Sequence, residues 1–514
     1  MKLNVKRNTI NGSISGVLNK IIATGLPFIM RTIMIHYMGT QYLGLSSLFT
    51  SILNMLSLAE LGFGSALVYS MYKPIAENDS DTICALMGLY KKIYRIIGTV
   101  IFLIGIASAP FVRLFINGDV PADVNVYVLF LIYLTNTVLS YFLFAYKNCL
   151  LFAFQRNDIS NNVNTVLTIV EYLAMILIII LFRNYYMYVL VFPVITITGN
   201  IVRAIIVDRL YPQYKCKGHI SAELQKEIYK KTFALACHKI GNTISSSLDS
   251  LVVSSFLGLS AVAIFGNYNY VVTTLIALIW IVYYSMTAGI GNRMVLLSRE
   301  ENYRDFTALT SINNIICVWA FGCLLFLYQP FIRLWTGEQN MLSNISALVF
   351  ACYFLVCQSR KVIILYKDAA GLWKEDQWAS IIGAMLNLIV NITLVQIIGI
   401  NGVVLSSIIS FLLVEIPWES YVLYKKFFGK SLMEYYKNQA RMIIMALPCW
   451  IVIGLLCSAI QQNMIVTLLV RGLICGILPV PYLVLIYRKD ENLKRMLKRI
   501  IPSRVASRLF RDTH

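Results

Sequence analysis

The sequence predicts an all-α polytopic integral membrane protein, with about 14 transmembrane helices. They form two parallel six-helix repeats plus two C-terminal helices. Three observations carry this reading. Of 514 residues, 58% are hydrophobic and only 13% charged, with a mean hydropathy of +0.70; a soluble domain is nearer half apolar and a quarter charged. Apolar windows long enough to cross a bilayer recur from end to end. Lys and Arg collect in alternate loops between those windows.

In chain order the windows fall at 13–36, 43–70, 88–110, 126–146, 162–182, 187–207, 233–256, 262–288, 306–327, 343–366, 378–398, 402–423, 442–460 and 465–487. With the N-terminus in the cytoplasm, inward loops hold Lys73, Lys91, Lys92, Lys147, Arg156, Arg209, Lys215, Lys217, Lys226, Lys230, Lys231, Arg293, Arg299, Arg304, Lys367, Lys374, Lys425, Lys426, Lys430 and Lys437. Outward loops hold only Arg113, Arg183 and Arg333. This bias places both termini in the cytoplasm. MKLNVKRN is basic but leads into a span with no small-residue cleavage site, so no cleavable signal peptide is expected. Two inward segments are amphipathic and are expected to lie on the inner leaflet. Residues 220–233 carry Ile220, Leu224, Ile228 and Phe233; the tail ENLKRMLKRIIPSR carries Leu493, Met496, Leu497 and Ile500 on one face.

Composition excludes several function classes. The formal charge of +19 suits loops facing anionic membrane lipids, with no nucleic acid as partner. Eleven cysteines without a CxxC pair and only four histidines argue against a disulfide framework and a metal site. Gly429-Lys430-Ser431 resembles the end of a Walker A loop, but Tyr424 stands where the first glycine is required. No G-x-S-x-G or HExxH occurs either, so no enzyme and no cofactor are expected; coupling to a Na⁺ or H⁺ gradient stays open.

The chain repeats internally. Pro110-Phe-Val-Arg-Leu-Phe115 recurs as Pro330-Phe-Ile-Arg-Leu-Trp335, and Tyr146-Lys147-Asn148 as Tyr366-Lys367-Asp368. Gly39, after the first window, matches Gly258, after the seventh. Six spans per copy is an even number, so both copies share one orientation, as in transporters built from parallel halves. The expected domains are 1–207 and 233–424 as six-helix bundles, 208–232 as a cytoplasmic linker, 425–487 as two added spans and 488–514 as a basic tail.

Polar residues inside the windows mark the candidate site. In the seventh, His238, Asn242, Ser245 and Asp249 recur with helical spacing, with Lys239 beside them. In the first, Lys20, Thr24, Pro27 and Arg31 occupy the matching positions. Lipid does not meet such faces, so a shared water-filled cleft is expected. The plainer alternatives are an Arg31–Asp249 packing pair, and snorkelling for Lys20, His238 and Lys239. Glu60, Glu171 and Glu415 are lone acids inside spans, either candidate ion-coupling sites with Asp249 or satisfied buried acids. Lys147 and Lys367 end matching spans, where snorkelling explains them. Pro27 interrupts the first span, and Gly241 falls in the seventh.

The stretches MGTQYLGLSSLFTSILNMLSLAELGFGSAL (Met38–Leu67) and CHKIGNTISSSLDSLVVSSFLG (Cys237–Gly258), with the fourteen spans and the repeat, resemble the bacterial polysaccharide-flippase family. These are the O-antigen and capsule oligosaccharide translocases of the multidrug/oligosaccharidyl-lipid/polysaccharide exporter superfamily. The resemblance implies alternating access and a cationic cavity in the cytoplasmic membrane. It implies a substrate linked to undecaprenyl pyrophosphate, moved from inner to outer leaflet, with a polysaccharide polymerase complex as a possible partner. Arg31 and Lys20 would then bind phosphate or acidic sugar, and Asp249 or Glu60 would couple to an ion. The alternatives are an ion-coupled multidrug exporter of the same superfamily, or a membrane-embedded polymerase or glycosyltransferase.

Overall fold

The computed structural model describes residues 5–57, 63–218, 220–460, 463–487 and 490–500, and all regular structure among them is helical. The chain divides into two compact units, Met1–Gly266 and Asn267–His514.

The first unit contains α1 (Val5–Tyr37), α2 (Thr40–Leu56), α3 (Phe63–Glu77), α4 (Ser80–Ser108), α5 (Val126–Phe142), α6 (Asn148–Ala153), α7 (Asn157–Phe182), α8 (Tyr185–Leu210), α9 (Ala222–Leu257) and the start of α10 (Leu259–Leu296). Short polar side chains begin these helices by satisfying backbone N–H groups the helix cannot. Asp79 accepts from Thr82 N at 3.0 Å, Asn125 from Tyr127 N at 3.0 Å and Asn184 from Met187 N at 3.0 Å. α1 continues as helix across Pro27, where the sequence suggested an interruption. It lies along α7. Gly12 and Gly16 leave room for Asn157 and Asn161, and Asn19 Nδ2 donates to Thr165 Oγ1 at 3.1 Å. Small residues spaced by four let two membrane helices approach in this way.

The core of this unit is built by Leu45, Leu48 and Phe49 of α2, Leu67 and Met71 of α3, and Phe130, Ile179 and Val189 of α5, α7 and α8. α9 packs on α2 and α3, and its Ile228 is buried in the same core. Residues 222–232, expected on the membrane surface as part of a linker, are therefore the first turns of a 36-residue helix. Ile228 finds apolar protein to cover it and does not need lipid. The compact division accordingly falls inside α10.

The second unit continues α10 and adds α11 (Arg299–Thr336), α12 (Asn344–Ser359), α13 (Lys361–Ala369), α14 (Gln377–Ile398), α15 (Ile400–Ser410), α16 (Ile416–Tyr421), α17 (Leu432–Ser458), α18 (Met464–Ile477), α19 (Pro479–Tyr487) and α20 (Glu491–Ile500). π-helical stretches at Phe411–Glu415 and Val422–Phe428 flank α16. A capping box of Ser298 and Glu301 starts α11. Phe306, Tyr366, Tyr424 and Phe428 form its aromatic core, with the Phe306 and Tyr366 rings edge to face at 5.1 Å. Trp450 anchors α17 to α11 by donating from Nε1 to Val318 O at 3.0 Å. The tail helix α20 is seated on α11: Leu493 is buried, and Asn492 Nδ2 donates to Thr307 Oγ1 at 3.1 Å. The side chains of Met496, Leu497 and Ile500, and residues 501–514, lie outside the described residues.

Among the described residues eleven helices are long and apolar enough to cross a membrane, and the pair Val126–Phe142 and Ala145–Ala153, bent by 47°, makes a twelfth if counted as one span. These coincide with twelve of the fourteen windows. Window 43–70 divides into α2 and α3, with residues 58–62 outside the described residues. Window 233–256 lies in α9, of which Ser246–Leu257 is an apolar stretch among the described residues. The chain is an all-α, multi-pass membrane protein.

Candidate functional site

Both polar stripes fall on helices of the first unit. Lys20, Thr24 and Arg31 are on α1; His238, Lys239, Asn242, Ser245 and Asp249 are on α9. α2 packs against both helices. Lys20 is exposed, Thr24 half-buried. Arg31 and Asp249 are half-buried and both are engaged with neighbours. The Arg31 guanidinium lies beside Gly266 of α10: a Cβ at that glycine would stand 3.4 Å from Nη1 and 3.9 Å from Ser47 Oγ of α2. The side chains of His238, Lys239, Asn242 and Ser245, and the whole of Glu60, lie outside the described residues. Glu171 is half-buried on α7, and no ion pair to it forms among the described residues.

The glycines matched by the repeat share a conformation. Gly39 has φ 103° and ψ 171°, Gly258 φ 85° and ψ 176°, and each precedes the next helix directly. Only glycine takes this backbone readily. The helices they launch meet: Thr40 Oγ1 donates to Ser260 Oγ at 3.1 Å. A Cβ on Gly44 would collide with the carbonyl oxygen of Leu259. Asn117 locks the same corner, donating from Nδ2 to Phe256 O at 2.7 Å and from its backbone N–H to Ser254 O at 3.0 Å.

In the second unit Glu415 is not a lone acid. It ends the π stretch Phe411–Glu415 and ion-pairs with Arg360, which links α12 to α13. The same guanidinium grips Glu419 with two nitrogens, Nη2 to Oε1 at 2.8 Å and Nε to Oε2 at 3.2 Å. It also stacks 4.6 Å from the Phe411 ring. Lys367 ion-pairs with Asp376 and reaches Glu419 Oε1 at 3.5 Å. Arg360, Lys367, Asp376, Glu415 and Glu419 are all buried. Lys361, with Nζ 4.9 Å from the Trp280 ring, adds a third cation to three carboxylates. Two-pronged Arg–carboxylate pairing of this kind is strong and geometrically demanding.

Lys147 and Lys367 do not snorkel. Lys147 Nζ lies 2.7 Å from Asp208 Oδ1, and Lys367 holds Asp376, so each matched lysine has its own carboxylate. Arg360 and Glu419 lie inside windows 343–366 and 402–423, six and four residues from their ends, and Asp376 just before window 378–398; nothing in the windows pairs them. The signal available was the density of acids after Phe411.

The geometry fits a transporter built of helical units with charged residues inside spans. Residues 9–290 match the polysaccharide biosynthesis protein family. The chain belongs to that family. Among solved structures it is similar to "Lipid II flippase MurJ, inward closed conformation", with TM-score 0.69 and 15% identity over 93% of this chain and 99% of that one. It is also similar to an inward-facing multidrug resistance MATE family transporter of the MOP superfamily (TM-score 0.62, 14% identity, 78% of this chain and 93% of that one). A third is a eukaryotic MATE transporter, AtDTX14 (TM-score 0.58, 10% identity, 85% and 99%). At such identities the likeness shows the fold. No curated protein matches the chain. The chain is thus a polysaccharide biosynthesis family protein with the fold seen in MurJ and the MATE transporters.

Proposed function

We propose that this flippase moves a lipid-linked, anionic oligosaccharide from the inner to the outer leaflet of a bacterial cytoplasmic membrane, by alternating access. The carrier we favour is undecaprenyl pyrophosphate. The observation that carries this reading is Arg31, a half-buried guanidinium in the apolar span Ile14–Tyr37. A cation in a span costs about 2.5–3.5 kcal/mol on insertion scales and usually marks a substrate or ion pathway. A diphosphate is matched by the planar donor fork of arginine. Lys20 shares α1 with Arg31, and Thr40–Ser260 with Gly39 and Gly258 form a corner about which helices turn. For ion coupling we favour Glu171 and Asp249. The Glu415 carboxylate is already held by Arg360.

The test is leaflet movement of a defined lipid-pyrophosphate oligosaccharide in proteoliposomes, with and without a Na⁺ or H⁺ gradient. Arg31→Ala is expected to abolish movement while the protein still reaches the membrane. Wild-type movement by that variant would overturn the role of Arg31. Export of organic cations with no lipid movement by the unaltered chain would favour the multidrug reading.

A further inference from the structure

The second unit carries a pocket of about 740 Å³ that the translocation reading does not use. It opens between the end of α11 and the start of α18 and is lined by Gln329, Arg333, Glu338, Met341, Met464 and Arg471 among others. Both helices end here, so the pocket lies at a membrane–water boundary. Its charges are unequal: two arginines against one glutamate. Arg333 Nη2 pairs with Glu338 Oε2 at 2.8 Å, leaving the rest of that fork for another acceptor. Arg471 stands inside the span Met464–Tyr487 and, among the described residues, makes one side-chain hydrogen bond, Nη2 to Ile460 O at 3.2 Å. Its Nε is shielded by protein, so the donors it offers the pocket are its terminal nitrogens, with capacity beyond that one bond. Gln329 is spent elsewhere, accepting from Tyr268 Oη at 2.7 Å and donating to Leu342 O at 2.7 Å.

We propose that this pocket binds one phosphate-bearing anion, with its oxygens between Arg333 and Arg471. Two sources share that chemistry, the headgroup of an anionic phospholipid and free phosphate. Glu338 sets the strength of the site by competing for Arg333.

The experiment counts phosphatidylglycerol retained by the full chain in detergent, by native mass spectrometry across a lipid titration. Phosphatidylcholine serves as the zwitterionic control and inorganic phosphate as competitor. The unaltered chain is expected to hold one phosphatidylglycerol more tightly than phosphatidylcholine. The Arg333→Ala/Arg471→Ala variant is expected to weaken that binding about ten- to a hundredfold, the loss of charged hydrogen bonds. Glu338→Gln is expected to tighten it several-fold, by freeing Arg333, about as an exposed ion pair is worth. If inorganic phosphate displaces the lipid, free anion is a ligand of the site; if it does not, the lipid is. Should the double variant not fold, Glu338→Gln decides alone. Unchanged affinity in the variants that fold overturns the proposal.

Discussion

At the scale of single residues, the structure turns isolated charges into partnered ones. Arg360 is the hinge of this change, because one guanidinium serves both Glu415 and Glu419. Removing it strands the buried Glu415 and leaves Glu419 to Lys367 alone, which is far worse than never having had the pair. Arg360→Ala is expected to cost about 3–5 kcal/mol, seen as a large drop in melting temperature in detergent. Replacing Arg360, Glu415 and Glu419 together by apolar residues of similar volume is expected to restore most of that stability. A triple replacement as unstable as the single one would mean the cluster does more than neutralise itself. Glu415 was legible in the sequence as an acid in an apolar run. Its partner was not, since Arg360 stands 55 positions earlier in another window and no spacing rule connects the two.

At the scale of elements, helix starts follow local chemistry and are accordingly predictable from it. Asp79 caps α4, and the Thr82 hydroxyl, followed by its backbone N–H, holds the Asp79 carboxyl below the usual carboxylate range. A lowered carboxylate pKa stabilises the fold at neutral pH, and that contribution fades as pH falls through the lowered value. Asp79→Ala is therefore expected to lower the melting temperature near neutrality and to make little difference in acid. Asp79→Asn, which also caps, is expected to lose less. Gly44 tests a different link. Its missing Cβ lets α2 approach the backbone of Leu259, so Gly44→Val is expected to reduce folded protein sharply in a size-exclusion assay, whereas the same change at Gly25, with open space around it, is not. Folded yield equal to wild type for Gly44→Val would mean α2 and α10 can part at no cost. Pro27 shows the limit of reading elements from sequence. A span holds its helix across a proline when the neighbouring helices supply the packing, and here α1 lies along α7.

At the scale of the whole molecule, orientation rests on where the cations lie. The positive-inside pattern is a statement about loops, so it is tested at loops. A biotin-acceptor tag inserted within 211–221 is expected to label only from the cytoplasmic side, and one within 337–343 only from outside. Labelling in the reverse sense would invert the proposed direction of transport along with the topology.

What the sequence by itself determined is what adds up residue by residue. Transfer into lipid is such a quantity, so the all-α membrane class and eleven of the spans were readable, as were the repeat and the positions of Arg31 and Glu171 inside apolar spans. The matched glycines were readable too, and both proved to take the same positive-φ turn. Tertiary structure alone decided which charges neutralise one another, that Ile228 is core and not membrane surface, and that α20 begins on α11. Those outcomes depend on distance between residues remote in the chain, Arg360 and Glu419 being 59 positions apart. A charge inside a span costs the same whatever its partner will be; whether that cost is offset is settled only when the helices pack.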